Sequence, residues 1–153
     1  MQLDEQLEVL IKDAANHGVS PAVIEQAIVP VLKSYANQLQ HLEYYVLQNI
    51  EQNWVLTTIT NPQLRQNKKV IYAFKSVRDA ANFQSKTKPD LIAMPIPVAQ
   101  LLFRLFSLQQ VDSVIFLENS HNLNQGIEIK RQHLSKLIGE QIEQLKKNPP
   151  YIA

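Results

Sequence analysis

The sequence of 153 residues contains no cysteine and only three glycines. The lack of cysteine excludes disulfide bonds and thiolate chemistry. The three glycines, Gly18, Gly126 and Gly139, lie too far apart to form a glycine-rich phosphate loop or a dinucleotide-binding fingerprint. We therefore expect no nucleotide cofactor of these kinds, and no other cofactor.

The chain also lacks long apolar segments. No apolar run approaches the ~20 residues that a membrane-spanning helix requires. The N-terminal segment MQLDEQLEVL has neither the basic start nor the long apolar core of a secretory signal. Hydrophobic residues make up 45% of the chain and charged residues 19%, which is typical of globular proteins. We expect a cytoplasmic protein without a membrane partner.

Clusters of residues with recognisable chemistry are scarce. The four histidines are isolated from one another, and no grouped carboxylates complete a metal site with them. No serine lies in a G-x-S-x-G motif. Asp4, Glu5 and Glu8 lie in the first turns of a predicted helix, where they complement the helix dipole. We expect a non-enzymatic protein without catalytic, metal-binding or cofactor-binding residues.

Short β-branched and aromatic segments alternate with amphipathic segments after residue 53. The segments 54–60, 70–75, 90–96, 111–118 and 126–130 are predicted as strands, and the segments 76–86, 97–110 and 131–147 as helices. Ser76 and Asp79 form a predicted capping box. This order predicts an α+β fold, with a mixed β-sheet of about five strands and helices packed on it.

The first 52 residues are predicted to be a helical pair. Apolar residues within 3–16 share one face, Gly18 ends that helix, and Ser20 and Pro21 start a second helix that reaches about residue 52. Pro30 is expected to kink or split the second helix. We therefore divide the chain into a helical extension, 1–52, and an α+β domain, 53–153. The extension needs cover for its apolar stripe, either from the sheet domain or from a second subunit.

The predicted helix 97–110 is apolar on nearly all sides, and only Gln100, Arg104 and Ser107 form a narrow polar stripe. An ordinary surface helix has an apolar sector of about 100° or slightly more. The N-terminal helices, a second copy of the chain or a partner peptide can provide the extra cover. We therefore expect a protein-interaction module that forms a homodimer and binds a further protein partner. Its candidate interaction surface is Leu101, Leu102, Phe103, Leu105 and Phe106.

Three segments of the chain, VIYAFKSVRDAANF, IAMPIPVAQLLFRLFSLQQVDSVIFLENS and GIEIKRQHLSKL, resemble one protein family. This family is the enhanced serine sensitivity (SseB) family, whose N-terminal domain the chain resembles over about residues 54–137. The resemblance implies an α+β interaction module without catalytic residues. One departure is Asn119-Ser120-His121, where the family has Pro-Gly after the asparagine. The positions that match the SseB family are Phe74, Ser76, Ala80, Phe83, Asp112, Asn119 and Gly126. The segment FKSVRDAANF is also similar to a chaperone-like family of chloroplast protein import.

Two alternative functions depend on particular polar residues. A small-ligand binder or an enzyme would use a cleft near the strand ends, lined by Asp112, Glu118, Asn119 and His121. A weak nucleic-acid binder would use the basic loop 63–69, which precedes strand aromatics. The candidate anion contacts in that loop are Arg65, Lys68 and Lys69. Basic loops are common on protein surfaces, so we do not expect a nucleic-acid partner.

Overall fold

The computed structural model describes residues 1–14, 16, 18–63, 65–84, 90–118 and 126–147. Within these ranges six strands form one sheet of order β4-β1-β3-β5-β6, in which β2 pairs with the first half of β3. Strands β3 and β5 pair in parallel, and the other pairs are antiparallel. The expected α+β fold is confirmed, with six strands instead of about five. The strands are β1 (Glu43–Gln48), β2 (Thr57–Asn61), β3 (Gln66–Phe74), β4 (Ile92–Pro97), β5 (Ser113–Leu117) and β6 (Ile127–Lys130).

Helices cover both faces of the sheet. Tyr44 and Val46 of β1 belong to the larger core under most of the helices, whereas Leu47 belongs to a smaller core near α4. This division follows from the alternation of side chains along a strand. No helix in the described ranges has the length and apolar character to cross a membrane. The helical elements are α1 (Leu3–Ala14), α2 (Pro21–Val23), a π-helical turn (Ile24–Ile28), α3 (Val29–Ala36), α4 (Val77–Gln84), α5 (Val98–Ser107) and α6 (Arg131–Lys147).

Strand β1 replaces the second half of a predicted helix. It occupies 43–48, within the segment 20–52 that we expected to be helical. Because β1 is buried on both faces, its apolar residues are nearly continuous, and their spacing also fits a helix. The prediction of a helical extension over 1–52 is therefore wrong beyond Ala36. The sheet begins before the boundary that we placed at residue 53.

Pro30 widens the helical segment that contains it, which confirms that it interrupts a regular helix. Proline has no N–H, so Pro30 cannot donate to the carbonyl of Gln26, four residues earlier. The adjoining turn is a π-helix, and the N–H of Val29 donates to the carbonyl of Ile24, five residues earlier. The π-helical turn therefore directs side chains differently from a regular α-helix, and Ile24, Ala27 and Ile28 of this turn are buried.

Several local signals are confirmed. Gly18 has φ of 72°, a left-handed conformation that glycine adopts without the steric strain that a Cβ would cause. Pro21 lies in the first turn of its helix, as predicted. The N–H of Asp79 donates to Oγ of Ser76 over 3.1 Å, as the predicted capping box requires. The Ser20 side chain, in contrast, makes no capping hydrogen bond.

The apolar helix α5 is covered within the chain itself. Leu102 is fully buried in the core that α5 shares with α1, α3 and α6. The buried side chain of Gln6 on α1 fixes the start of α5. Its Nε2 donates to the carbonyl of Leu42 over 2.9 Å, and its Oε1 accepts from the N–H of Ala99 over 3.0 Å. The N-terminal helices thus pack on the sheet domain, which is one of the two arrangements we expected.

Candidate binding groove

A groove of about 720 Å³ lies between α1, the π-helical turn and α5. Ile24 and Ile28 of the π-helical turn are buried at its floor, and half-buried Leu10, Phe103 and Phe106 line its walls. The volume falls within the range of about 300 to 1,000 Å³ that is usual for ligand pockets. Turns of π-helix are frequent at functional sites. The groove is therefore the first candidate for a binding site.

Apolar side chains continue from the floor of the groove onto its rim. Met1, Val9 and Val19 line the groove and are 67%, 51% and 37% exposed, respectively. Exposed apolar residues next to a concave apolar floor are typical of interaction sites. The groove and its rim therefore form one apolar surface that no described part of the chain covers.

The polar stripe of α5 lies along one wall of this groove. Gln100, Arg104 and Ser107 line that wall, and Asp13 lines the side formed by α1. The guanidinium group of Arg104 stacks on Trp54, with Cζ 4.4 Å from the ring centroid. The Arg104 side chain has no ion pair or hydrogen bond with any residue that the structure describes. The groove therefore contains a positive charge that has no ionic partner in the part of the chain that the structure describes.

The structure divides the predicted interaction surface. Leu101, Leu102 and Leu105 are fully buried within the chain, so their proposed role as partner contacts is wrong. The physical reason is that the packed N-terminal helices already cover them. Phe103 and Phe106 remain half-buried at the groove wall. Val9 also lines the groove and was not predicted as a site residue, although a valine outside the apolar stripe of α1 is a signal of an additional contact surface.

Asp112 and Glu118, the described residues of the cleft predicted near the strand ends, do not form a cleft. Asp112 directly precedes β5 and Glu118 directly follows it, so about 20 Å of extended chain separates them. The carboxylate of Asp112 accepts the N–H of Lys69 over 2.8 Å. Asn119 and His121 lie outside the described residues. Asp112 and Glu118 therefore serve different parts of the sheet and cannot line one cleft.

Glu118 belongs to a polar cluster that the chain largely encloses. Its side chain is 9% exposed, its Oε1 accepts from the Tyr44 hydroxyl over 2.5 Å, and its Oε2 lies 3.5 Å from Nε2 of His41. Oε2 has no hydrogen-bond donor among the described residues. Burial, then the hydrogen bond and charge of Glu118, raise the pKa of Tyr44 above its usual range. Tyr44 therefore stays a hydrogen-bond donor to Glu118 at physiological pH.

The candidate anion contacts do not assemble into one site. Lys68 forms an ion pair with Glu128, whereas Lys69 lies on the opposite face of β3 because successive side chains of a strand alternate. Arg65 lies in the preceding turn with φ of 52°. Burial, and then repulsion from Lys130, lower the pKa of Lys68. The predicted cluster of three cations is therefore wrong as a single contact surface.

A second cavity, of about 680 Å³, lies beside Lys68 at the start of α6. Lys130 and Arg131 also line it, but so does the carboxylate of Asp112. Because Glu128 already pairs with Lys68, two carboxylates offset three cations around the cavity, which leaves a net charge of about +1. This arrangement does not favour a polyanion such as nucleic acid, whose binding depends on uncompensated cations. Among the described residues, no group of three or more histidine or carboxylate side chains is placed to hold a metal ion.

Comparison of the chain with protein-family models, with curated proteins and with solved structures finds no match. The resemblance to the SseB family therefore stays a prediction. The groove between α1, the π-helical turn and α5 is the feature of the structure that points to a function.

Proposed function

We propose that this protein is a non-enzymatic interaction module whose groove binds an apolar segment of a protein partner. The observation that carries the proposal is the continuous apolar surface formed by the buried floor and by the exposed rim residues Met1, Val9 and Val19. Covering this surface would stabilise a complex by about 25 cal/mol for each Å² of apolar area removed from water. The exposed rim extends beyond the concave floor, which suits a protein segment better than a fully enclosed small molecule.

The dimensions of the groove suit a helical partner segment. Its long walls are α1, with 12 residues, and α5, with 10 residues. At a rise of 1.5 Å per residue, these walls are about 18 and 15 Å long. A partner helix of about three turns would match them, with apolar side chains at positions i, i+3 or i+4, and i+7 directed to the floor.

Three carboxylates outside the groove have structural partners, which supports a non-enzymatic role. Asp112 accepts a backbone N–H of β3, Glu118 accepts the Tyr44 hydroxyl, and Glu128 accepts from the hydroxyl of Ser113. Each of these contacts joins neighbouring parts of the sheet, so each carboxylate has a role in holding the fold together. We retain a cytoplasmic location as part of the same proposal, on the sequence argument given above.

Selection of peptides from a phage-displayed library on the immobilised protein tests the proposal. The enriched peptides are then synthesised, and their affinities are measured for the wild type, Val9→Glu and Val77→Glu. Val9 lies on the groove rim and Val77 on α4, and both are 51% exposed, so the two variants are matched in chemistry and burial. We expect Val9→Glu to weaken binding by about tenfold or more, because an unpaired charge would be buried in the complex.

The control variant Val77→Glu should retain the wild-type affinity, since α4 packs on the other face of the sheet. Circular dichroism checks that both variants keep the fold, which we expect for substitutions at exposed positions. If no peptide is enriched, or if the enriched peptides bind both variants equally, the groove is not a protein-binding site and the proposal is wrong.

The homodimer expected from the sequence also stays a proposal. The edge strand β4 exposes Ile92 by 52% and Met94 by 39%, which offers an apolar contact surface. Pro95 and Pro97 lack N–H donors, so two copies would associate there by side-chain packing and not by strand pairing. Light scattering after size exclusion should give twice the monomer mass of 17.5 kDa at high micromolar concentration. A monomer under these conditions would exclude the dimer.

A further inference from the structure

Arg104 is the cationic side chain among the residues that line the groove, and its environment is unusual for an arginine. It is half-buried, and the planar guanidinium group stacks on the ring of Trp54. A guanidinium group that packs on a ring by its face keeps its N–H donors available in its own plane. None of these donors meets an acceptor in the described part of the chain. Arg104 thus packs on Trp54 but has no ionic or hydrogen-bonding partner for its side chain among the described residues.

We infer that the partner segment carries an aspartate or glutamate whose carboxylate pairs with Arg104. This inference rests on the proposed function, and it assigns the chemistry of the partner at that same groove. A carboxylate accepts two parallel N–H bonds from a guanidinium group, and such pairs are stronger than neutral hydrogen bonds. The apolar surroundings contributed by Phe103 and Phe106 reduce screening by water, which strengthens the pair further.

The position of Arg104 also defines where the acidic residue lies in the partner. Gln100, Arg104 and Ser107 follow one another at helical spacing along the wall of α5, and Phe103 and Phe106 flank them. A helix in the groove would therefore direct apolar residues to the floor and place its acidic residue at the edge of its apolar face. Among the described lining residues, Asp13 has the other charged side chain. A lysine at the same position of the partner would be repelled by Arg104.

The test uses the synthetic peptides that the library selection enriches. Each acidic residue of a peptide is replaced by glutamine or lysine, and binding is followed by the fluorescence of Trp54, which is the single tryptophan of the chain. We expect one glutamine replacement to weaken binding to the wild type by about tenfold, and the lysine replacement to weaken it more. Because the change is made in the peptide, this part of the test does not depend on the folding of a protein variant.

The protein variants Arg104→Gln and Lys136→Gln complete a double-mutant cycle. Both remove one positive charge, but Lys136 is exposed on α6 and does not line the groove. The preference for the acidic peptide should disappear in Arg104→Gln and persist in Lys136→Gln. Arg104→Lys should give an intermediate preference, because lysine keeps the charge but loses the planar pair of donors.

The outcomes separate this inference from the proposed function. If the peptides bind in a manner sensitive to Val9→Glu but equally well with glutamate or glutamine, the groove binds protein and the pairing with Arg104 is wrong. A glutamate preference that persists in Arg104→Gln would also overturn the pairing. If no peptide binds in the groove, the proposed function itself fails, and the pairing fails with it.

Discussion

The hydroxyl group of Tyr44 donates a 2.5 Å hydrogen bond to Oε1 of Glu118, 74 residues further along the chain. The ring of Tyr44 also packs edge-on against Phe116, with 4.9 Å between the ring centroids. Tyr44 is fully buried in the larger core, and the contact reaches from β1 across β3 to the end of β5. A single tyrosine therefore combines apolar packing with a long-range polar contact.

Tyr44→Phe should lower the free energy of unfolding by about 1 to 3 kcal/mol. The substitution keeps the ring in the core but removes the acceptor of the His41 N–H and the shorter of the two described hydrogen bonds to Oε1. The N–H of Gln40, at 3.3 Å, is then the remaining described donor to Oε1. Urea denaturation measures the change. Tyr45→Phe is the matched control, because Tyr45 is half-buried in the smaller core and its hydroxyl makes no described hydrogen bond. Equal losses in the two variants would contradict this account.

The raised pKa of Tyr44 predicts a loss of stability at alkaline pH. The folded state holds the proton more tightly than the unfolded chain, in which the pKa is near 10. The stabilisation is therefore complete below pH 10 and is lost as the pH rises toward the folded pKa. At pH 11, above the pKa of the unfolded chain, the wild type should have lost on the order of 1 kcal/mol through this group.

Denaturation of the wild type and Tyr44→Phe at neutral pH and at pH 11 isolates this contribution. The other titrating groups are common to both proteins, including Tyr35, whose pKa burial also raises. The stability difference between the two proteins should shrink at pH 11. A constant difference would show that Tyr44 does not titrate as its burial requires.

Patterns that depend on neighbouring residues were predictable from the sequence, and patterns that depend on distant contacts were not. The capping pair Ser76 and Asp79 and the interruption at Pro30 involve only a few adjacent residues, and both are present. The segment 43–48 has apolar residues at spacings that fit either a helix or a strand buried on both faces. This segment forms a strand because it pairs with β3 and β4, and both of these strands lie far from it in the sequence.

The groove illustrates the same limit for the candidate site. The sequence showed that the helix 97–110 needed cover on most sides, and the leucines of α5 are indeed covered. It did not show that the cover would be incomplete beside Phe103 and Phe106, because that gap depends on how α1 and the π-helical turn pack. The polar stripe that contains Arg104 was visible, but its position along the groove wall was not.

Gly126→Ala should destabilise the protein, whereas Gly139→Ala should not. A Cβ on Gly126 would lie 2.5 Å from Cγ2 of Ile115 and 3.1 Å from Cδ2 of Leu117, so the strand packing would have to shift. Such overpacking costs about 1 to 3 kcal/mol. A Cβ on Gly139 would have no neighbour within 4 Å, and alanine favours the helix α6 by up to about 1 kcal/mol.

Thermal or urea denaturation of the two glycine variants should therefore give changes of opposite sign. Both substitutions add one methyl group, so their comparison separates local crowding from the general effect of replacing glycine. A destabilised Gly139→Ala, or a Gly126→Ala as stable as the wild type, would contradict the packing described for β5 and α6.

Gln6→Ala should weaken both the fold and the groove, because the Gln6 side chain joins the two long walls. Its amide is 4% exposed and makes three hydrogen bonds, to the carbonyls of Met1 and Leu42 and from the N–H of Ala99. Removing it leaves the Ala99 N–H buried without its acceptor, and the free energy of unfolding should fall by about 2 to 4 kcal/mol. Urea denaturation measures this loss, and Gln2→Ala, at an exposed position, is the control, with an expected change below about 0.5 kcal/mol.

Because α1 would be held less firmly against α5 in Gln6→Ala, peptides that bind the wild-type groove should bind this variant more weakly, even at temperatures where the variant remains folded. Unchanged stability would show that the amide does not tie α1 to α5, and unchanged peptide affinity would show that the groove does not depend on that tie.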